Sequence, residues 1–150
     1  MPSTATAQRA ALVAILLIGA LLRTVQYGAM TSLSSDEAAL ALNVKDRGWT
    51  ELVSSPLMHN QVAPPGFLLA EKLDVAALGD TEAAYRFLPF VLSLASLVLF
   101  WRVAARSLRP STMLAAMVAF ALSPALILYA GVAKQYAGDI AVTLFLLWTA

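Results

Sequence analysis

Phe87-Leu88-Pro89-Phe90-Val91-Leu92-Ser93-Leu94-Ala95-Ser96-Leu97-Val98-Leu99-Phe100-Trp101 carries no charge over fifteen residues, and the fold class turns on it. A helix needs about 20 apolar residues to cross a bilayer core. With its flanks, residues 82–105, this run is long enough, and Pro89 in its outer turn is expected to bend it. On its C-terminal side come Arg102, Arg106 and Arg109 with no acid among them, and then an uncharged stretch, residues 111–133. That stretch reads as a further span whose outer half is loosened by Ser123-Pro124. Residues 139–150 open another, and the chain stops inside it, so the sequence reads as the N-terminal part of something longer. On the N-terminal side, residues 10–30 supply a first span, provided that Arg23 snorkels or faces other helices and Tyr27 sits at the interface.

Composition agrees with this reading. Hydrophobic residues make up 60% of the chain and charged ones 13%, against about 45–50% and about 25% in a soluble domain. A soluble enzyme is excluded by the apolar runs, and a nucleic-acid partner by the lack of a basic aromatic patch. Without cysteine there is no disulfide framework, thiolate metal site or cysteine nucleophile. The expected fold is all-α, a polytopic transmembrane helical protein within one domain over residues 1–150.

Between the first two spans, residues 31–81 are too polar to cross. Ser34 followed by Glu37 is a capping box, with Asp36 and Glu37 in the first turn of a helix over residues 35–47 that Gly48 is expected to stop. A short piece follows, ended by Pro56. His59 is most simply an ordinary loop residue, and Pro64-Pro65-Gly66 is a rigid turn that leads into a second helix, residues 67–78, stopped at Gly79. Both helices are expected to be amphipathic and to lie along the membrane surface.

Lysine and arginine placement sets the orientation. Arg9 precedes the first span and three arginines follow the second, so both belong on the cytoplasmic side. The protein is then a multi-pass component of the cell membrane with its N-terminus cytoplasmic and residues 31–81 outside. The turn Lys134-Gln135-Tyr136 with Asp139 returns to the same outer face. Two polar clusters therefore converge, and charge at a membrane boundary points to function. A loop-helix carboxylate, Asp36 or Glu37, can accept a proton from a hydroxyl; Asp139 can orient that group or help hold a divalent metal. Lys134 and Arg86 can neutralise a phosphate, and Tyr136 can hydrogen-bond Asp139 from one helical turn away. Each has a simpler structural reading: Asp36 and Glu37 as helix caps, Lys134 and Asp139 as a local ion pair, Arg86 as a snorkelling residue.

The order of these features resembles the N-terminal part of the C-type (GT-C) glycosyltransferases, in the branch of protein O-mannosyltransferases and bacterial lipid A sugar transferases, family 39-like. The resemblance rests on Ser35-Asp36-Glu37-Ala38, the Pro64-Pro65-Gly66 turn, Gly79-x-x-Glu82-x-x-x-Arg86-x-x-Pro89, the arginine-rich inner loop, and Ser123-Pro124 followed by Lys134-Gln135-Tyr136-x-x-Asp139. It implies transfer of a sugar from a polyprenyl-phosphate donor to a lipid, glycan or protein acceptor on the outer face, with Asp36 at the catalytic centre and Asp139 as a second acid. Some relatives carry a lysine just before the Pro-Pro turn; here Ala63 stands there, with Gln61 nearby, and Lys134 and Arg86 are the substitutes for binding the donor phosphate. Two other classes stay open: a transporter or flippase, and a non-catalytic membrane subunit.

Overall fold

The computed structural model describes residues 4–29 and 32–150. Among them every regular element is helical: α1 (Thr4–Ala29), α2 (Ser35–Asp46), α3 (Trp49–Ser54), α4 (Pro65–Leu78), α5 (Glu82–Ser107), α6 (Pro110–Ala121), α7 (Pro124–Leu128) and α8 (Tyr136–Thr149), with a 3₁₀ turn at Tyr129–Gly131 between the last two. Two helices, α1 and α5, are long and apolar enough to cross a membrane. A third crossing exists if α6 and the segment Pro124–Gly131, bent by 52°, form one broken span.

The run that decides the fold class becomes the centre of the molecule, since α5 packs against α1, α4, α6 and α8. Thr81 caps it by accepting from the Ala84 N–H at 3.2 Å. Pro89 lies within a continuous helix. Close approach explains how α1 joins this bundle. A Cβ on Gly19 would meet Ala121 Cβ at 3.0 Å and Leu97 Cδ2 at 3.2 Å, so only glycine lets these backbones come together.

One turn on from Gly19, Arg23 is fully buried and does not snorkel. Its guanidinium donates to Ala121 O at 2.9 Å, Gly19 O at 3.1 Å, Phe120 O at 3.5 Å and Ser93 Oγ at 3.0 Å. The need arises at the break. Pro124 has no N–H, so Phe120 O loses its partner four residues on, and Arg23 caps the open end of α6. Arg23→Leu is expected to lower stability by about 2–3 kcal/mol, because buried carbonyls are left without donors. A shift in the midpoint of reversible detergent unfolding would measure it.

The segment between α1 and α5 builds a small core together with α5 and the turn before α8. Leu40 and Val44 of α2, Leu52 of α3, Phe67 and Leu68 of α4, Tyr85 of α5 and Ala133 pack together. The capping box forms as expected: Ser34 Oγ accepts from Glu37 N, and the Glu37 carboxylate accepts from Ser34 N. The expected stop does not. Gly48 has φ −65° and caps α3, so it is not left-handed, and α2 ends at Asp46 with Arg47 extended. The Lys72 ammonium of α4 closes that end instead, donating to Val44 O at 2.7 Å and Arg47 O at 2.6 Å. A cation bonded to the last carbonyls satisfies them without a reversed backbone. Gly79 does stop α4, with φ +92°.

Candidate functional site

Asp36 stands in the first turn of α2, where its side chain is 62% exposed. Because α2 is fixed by its capping box and by its apolar face, the carboxylate points out of the small core toward the turn before α8. There Lys134 arrives from a stretch of chain anchored by its neighbour, Ala133, whose N–H donates to Glu37 Oε1 at 2.8 Å. Lys134 Nζ lies 2.9 Å from Asp36 Oδ2, although only 6% of the lysine side chain is exposed. Gln61 completes a triangle: its Nε2 donates to Asp36 Oδ1 at 3.0 Å and its Oε1 accepts from Lys134 Nζ.

Gln61 reaches this position through a strained turn. His59 and Asn60 both have left-handed backbones, with φ of 58° and 53°, a conformation that costs energy in residues other than glycine. Asn43, wholly buried on α2, holds the turn in place. It donates to Met58 O at 3.2 Å and to Ala39 O at 2.8 Å, and accepts from Met58 N at 2.7 Å. His59 itself contributes a carbonyl, accepting from Gln61 Nε2 at 3.3 Å.

Beneath the triangle is a second charged layer. Glu37 is 3% exposed and Arg86 1%. Arg86 Nε is 3.6 Å from Glu37 Oε1, and Arg86 Nη2 donates to Ser32 O at 2.7 Å. Burial alone would raise the Glu37 pKa, but the N–H groups of Ala133 and Ser34, the Ser34 hydroxyl and the Arg86 charge together hold it below its ordinary value. Glu37 and Arg86 thus spend their polar atoms on joining α2, α5 and the turn before α8, facing inward and away from Asp36. The Asp36 carboxyl also lies below its ordinary value, through its hydrogen bonds to Gln61 and Lys134.

Glu71 is the residue that reasoning from sequence passed over. It is 1% exposed on α4, its Oε2 has no hydrogen-bond partner among the described residues, and burial, reinforced by the charge of Asp74, pushes its pKa up to about 9. Asp74 is raised as well, by burial. An acid three residues after Leu68 and four after Phe67, and so on the apolar face of α4, was the available signal for Glu71, as an amide between Leu40 and Val44 was for Asn43.

Tyr136 and Asp139 lie apart from the triangle. Tyr136 packs against Tyr129, ring centroids 5.0 Å apart, and its hydroxyl makes no hydrogen bond to Asp139. Asp139 is exposed in the first turn of α8, where it lines a cavity of about 520 Å³ between α4, α5 and α8, together with Pro64, Gly66, Phe67, Leu92 and Gly138. Gln135, next in the chain to Lys134, lines the same cavity and donates to the carbonyl of Val62, next in the chain to Gln61, at 3.4 Å. Among the described residues no three His, Asp or Glu side chains gather where they could hold a metal ion; the donor set does not fit one.

The arrangement offers an exposed carboxylate held below its ordinary pKa by a fixed amide and a nearly buried ammonium, and an apolar space whose lining includes Gln135, the residue after Lys134. No family model, curated protein or solved structure matches the chain.

Proposed function

We propose that this is a membrane glycosyltransferase that moves a sugar from a polyprenyl-phosphate donor to a lipid, glycan or protein acceptor on the outer membrane face. The observation that carries the reading is the Asp36–Gln61–Lys134 triangle next to the apolar cavity at Asp139. A lipid-phosphate sugar has the complementary three parts: a hydrocarbon tail that needs an apolar groove, a phosphate that needs a cation, and a sugar carbon that needs an activated hydroxyl.

In this reading the chain crosses the membrane at α1, at α5 and at the broken pair α6–α7, with α8 opening a fourth crossing. The N-terminus is cytoplasmic and residues 31–81 lie outside, following Arg9 and the arginines at 102, 106 and 109. The lipid tail occupies the cavity between α4, α5 and α8. Its phosphate draws Lys134 away from Asp36. Relieved of its counter-ion, Asp36 becomes a stronger base and takes the proton of the acceptor hydroxyl, whose oxygen attacks the sugar carbon as the phosphate leaves. Gln61 keeps the carboxylate aimed during the exchange. Asp139, at the cavity wall, hydrogen-bonds the donor, and Glu37 and Arg86 hold the two halves of the site together.

The transporter reading draws on the break between α6 and α7, since discontinuous helices often form substrate sites. Here Arg23 already takes the freed carbonyls, which leaves the glycosyltransferase reading ahead. Membranes containing the full-length protein, supplied with radiolabelled polyprenyl-phosphate sugars, are expected to transfer label to an endogenous acceptor. Lys134→Gln should raise the donor concentration needed for half-maximal transfer by about tenfold or more, the worth of one charge-assisted phosphate contact. Transfer by Lys134→Gln with wild-type donor dependence would remove the phosphate from this position.

A further inference from the structure

The end of the helical bundle away from the Asp36–Gln61–Lys134 triangle has a charge pattern of its own. All nine acids of the chain lie within residues 36–82 or at Asp139, whereas Arg102, Arg106 and Arg109 close α5 and open α6. The packing of α1 adds a fourth arginine. Gly19 faces Leu97, and Arg23, one turn on, bonds Ser93, one turn back. The two helices are therefore antiparallel in register, and carrying that register ten residues down from Gly19 sets Arg9 level with Ser107, the neighbour of Arg106. On α6 the same step back from Ala121, which also faces Gly19, reaches Ser111, two residues after Arg109. Four exposed arginines thus share one end of three packed helices. Among the described residues no acid lies within ion-pairing distance of any of them.

Two of the four are fixed by aromatic rings. The Arg102 guanidinium lies over Trp101, 5.1 Å from the ring centroid, and that of Arg106 over Trp148, at 5.6 Å. Arg106 also donates to Trp148 O. Tryptophan settles at the level of lipid headgroups, so these rings hold the cations in that plane. Like charges gathered at such a boundary repel one another until an anion sits among them.

We propose that this end of the bundle binds an acidic phospholipid, with Arg102, Arg106 and Arg109 holding the headgroup phosphate and Arg9 alongside. A guanidinium fork matches two phosphate oxygens. The surface beside the cations selects a lipid over a soluble anion. Val98, one turn before Arg102, and Phe145, whose ring lies 6.2 Å from that of Trp148, are half exposed. A headgroup carrying acyl chains meets both the cations and this apolar surface; free phosphate meets only the first. The inference rests on α1 and α5 being membrane spans, and not on sugar transfer.

Native mass spectrometry of the full-length protein, released from detergent micelles doped with equal amounts of phosphatidylglycerol and phosphatidylcholine, reads the preference. Wild type is expected to retain phosphatidylglycerol over phosphatidylcholine by about tenfold or more, at roughly fivefold per engaged arginine. Arg106→Gln with Arg109→Gln should remove most of that preference. Lys45→Gln with Arg47→Gln, which takes two cations from the end that carries the triangle, should leave it unchanged. Equal retention of the two lipids by wild type overturns the proposal without any variant having to fold. A preference that survives Arg106→Gln with Arg109→Gln, or that millimolar inorganic phosphate abolishes, overturns it too. A full-length protein that stays soluble without detergent or lipid would instead remove the membrane spans, and the proposal with them.

Discussion

Asp36→Asn is expected to cut sugar transfer by roughly 10²–10⁴-fold, the range for removing a positioned general base, while the protein folds normally. Two features separate these effects. The Asp36 side chain is mostly exposed and lies outside the small core, and the nearly buried Lys134 ammonium keeps an acceptor in Gln61 Oε1 when the carboxylate is replaced. Asparagine also preserves the size of the side chain and can still accept from Lys134 or Gln61. What it cannot do is take a proton. The carboxyl pKa sits below its ordinary value because of Gln61 and Lys134, so Asp36 is ionised at neutral pH but a weak base until Lys134 moves to the donor phosphate. Loss of transfer should therefore appear in the maximal rate at saturating donor, in contrast with Lys134→Gln, which acts on donor dependence. Matched levels of Asp36→Asn and wild type in membranes, assayed with the same labelled donor, give the comparison. Wild-type rates in the variant would return Asp36 to the role of a helix cap.

Sequence periodicity and charge made the long elements legible. The uncharged residues 87–101 and their flanks became α5, and the capping box at Ser34 and Glu37 opened α2 where it was expected. What stayed hidden depends on contacts between residues far apart in the chain. Nothing local in Arg47-Gly48 reveals that Lys72 will cap α2, and glycine there invites a left-handed stop that never forms. The sequence leaves Arg23 either snorkelling or facing other helices, and it faces them; what stays hidden is which groups it meets, since the carbonyls at the break between α6 and α7 lie nearly a hundred residues away.

The candidate site divides in the same way. Asp36 and Lys134 could be brought to one face by counting membrane crossings, and Gln61 by its closeness to the Pro-Pro turn. Adjacent residues then part company: Asp36 faces out while Glu37 faces in, because consecutive positions on a helix point about 100° apart. Asp139 and Tyr136 were grouped with Lys134 by sequence distance, but α8 begins at Tyr136 and turns both away from the triangle. Glu71 sits in a helix expected to lie along the membrane surface, where a carboxylate calls for no remark. Its burial follows from α4 packing against α5 and the rest of the small core, which no local pattern announces.

Glu37→Ala is expected to destabilise the protein by about 3–5 kcal/mol, the cost of breaking a buried ion pair by removing one partner. The carboxylate accepts from Ala133 N and Ser34 N and pairs with Arg86, so truncation takes the carboxylate from beside a buried guanidinium and leaves the buried Ala133 N–H without its acceptor. Glu37→Gln should also be destabilising, since its amide can offer only one oxygen where donors converge from both sides. The pH dependence has a definite sign. In the folded protein the Glu37 pKa lies below its ordinary value of 4.5, so the stabilisation from its charge is fully present above about that pH and is lost as pH falls through the folded value. The gap between wild type and Glu37→Gln should accordingly be constant near neutrality and close in acid. Equilibrium unfolding in mixed detergent micelles at neutral and acidic pH would measure both quantities. A gap below about 1 kcal/mol at neutral pH would mean that Glu37 does not join α2 to the turn before α8, and the position of Lys134 beside Asp36 would then need another support.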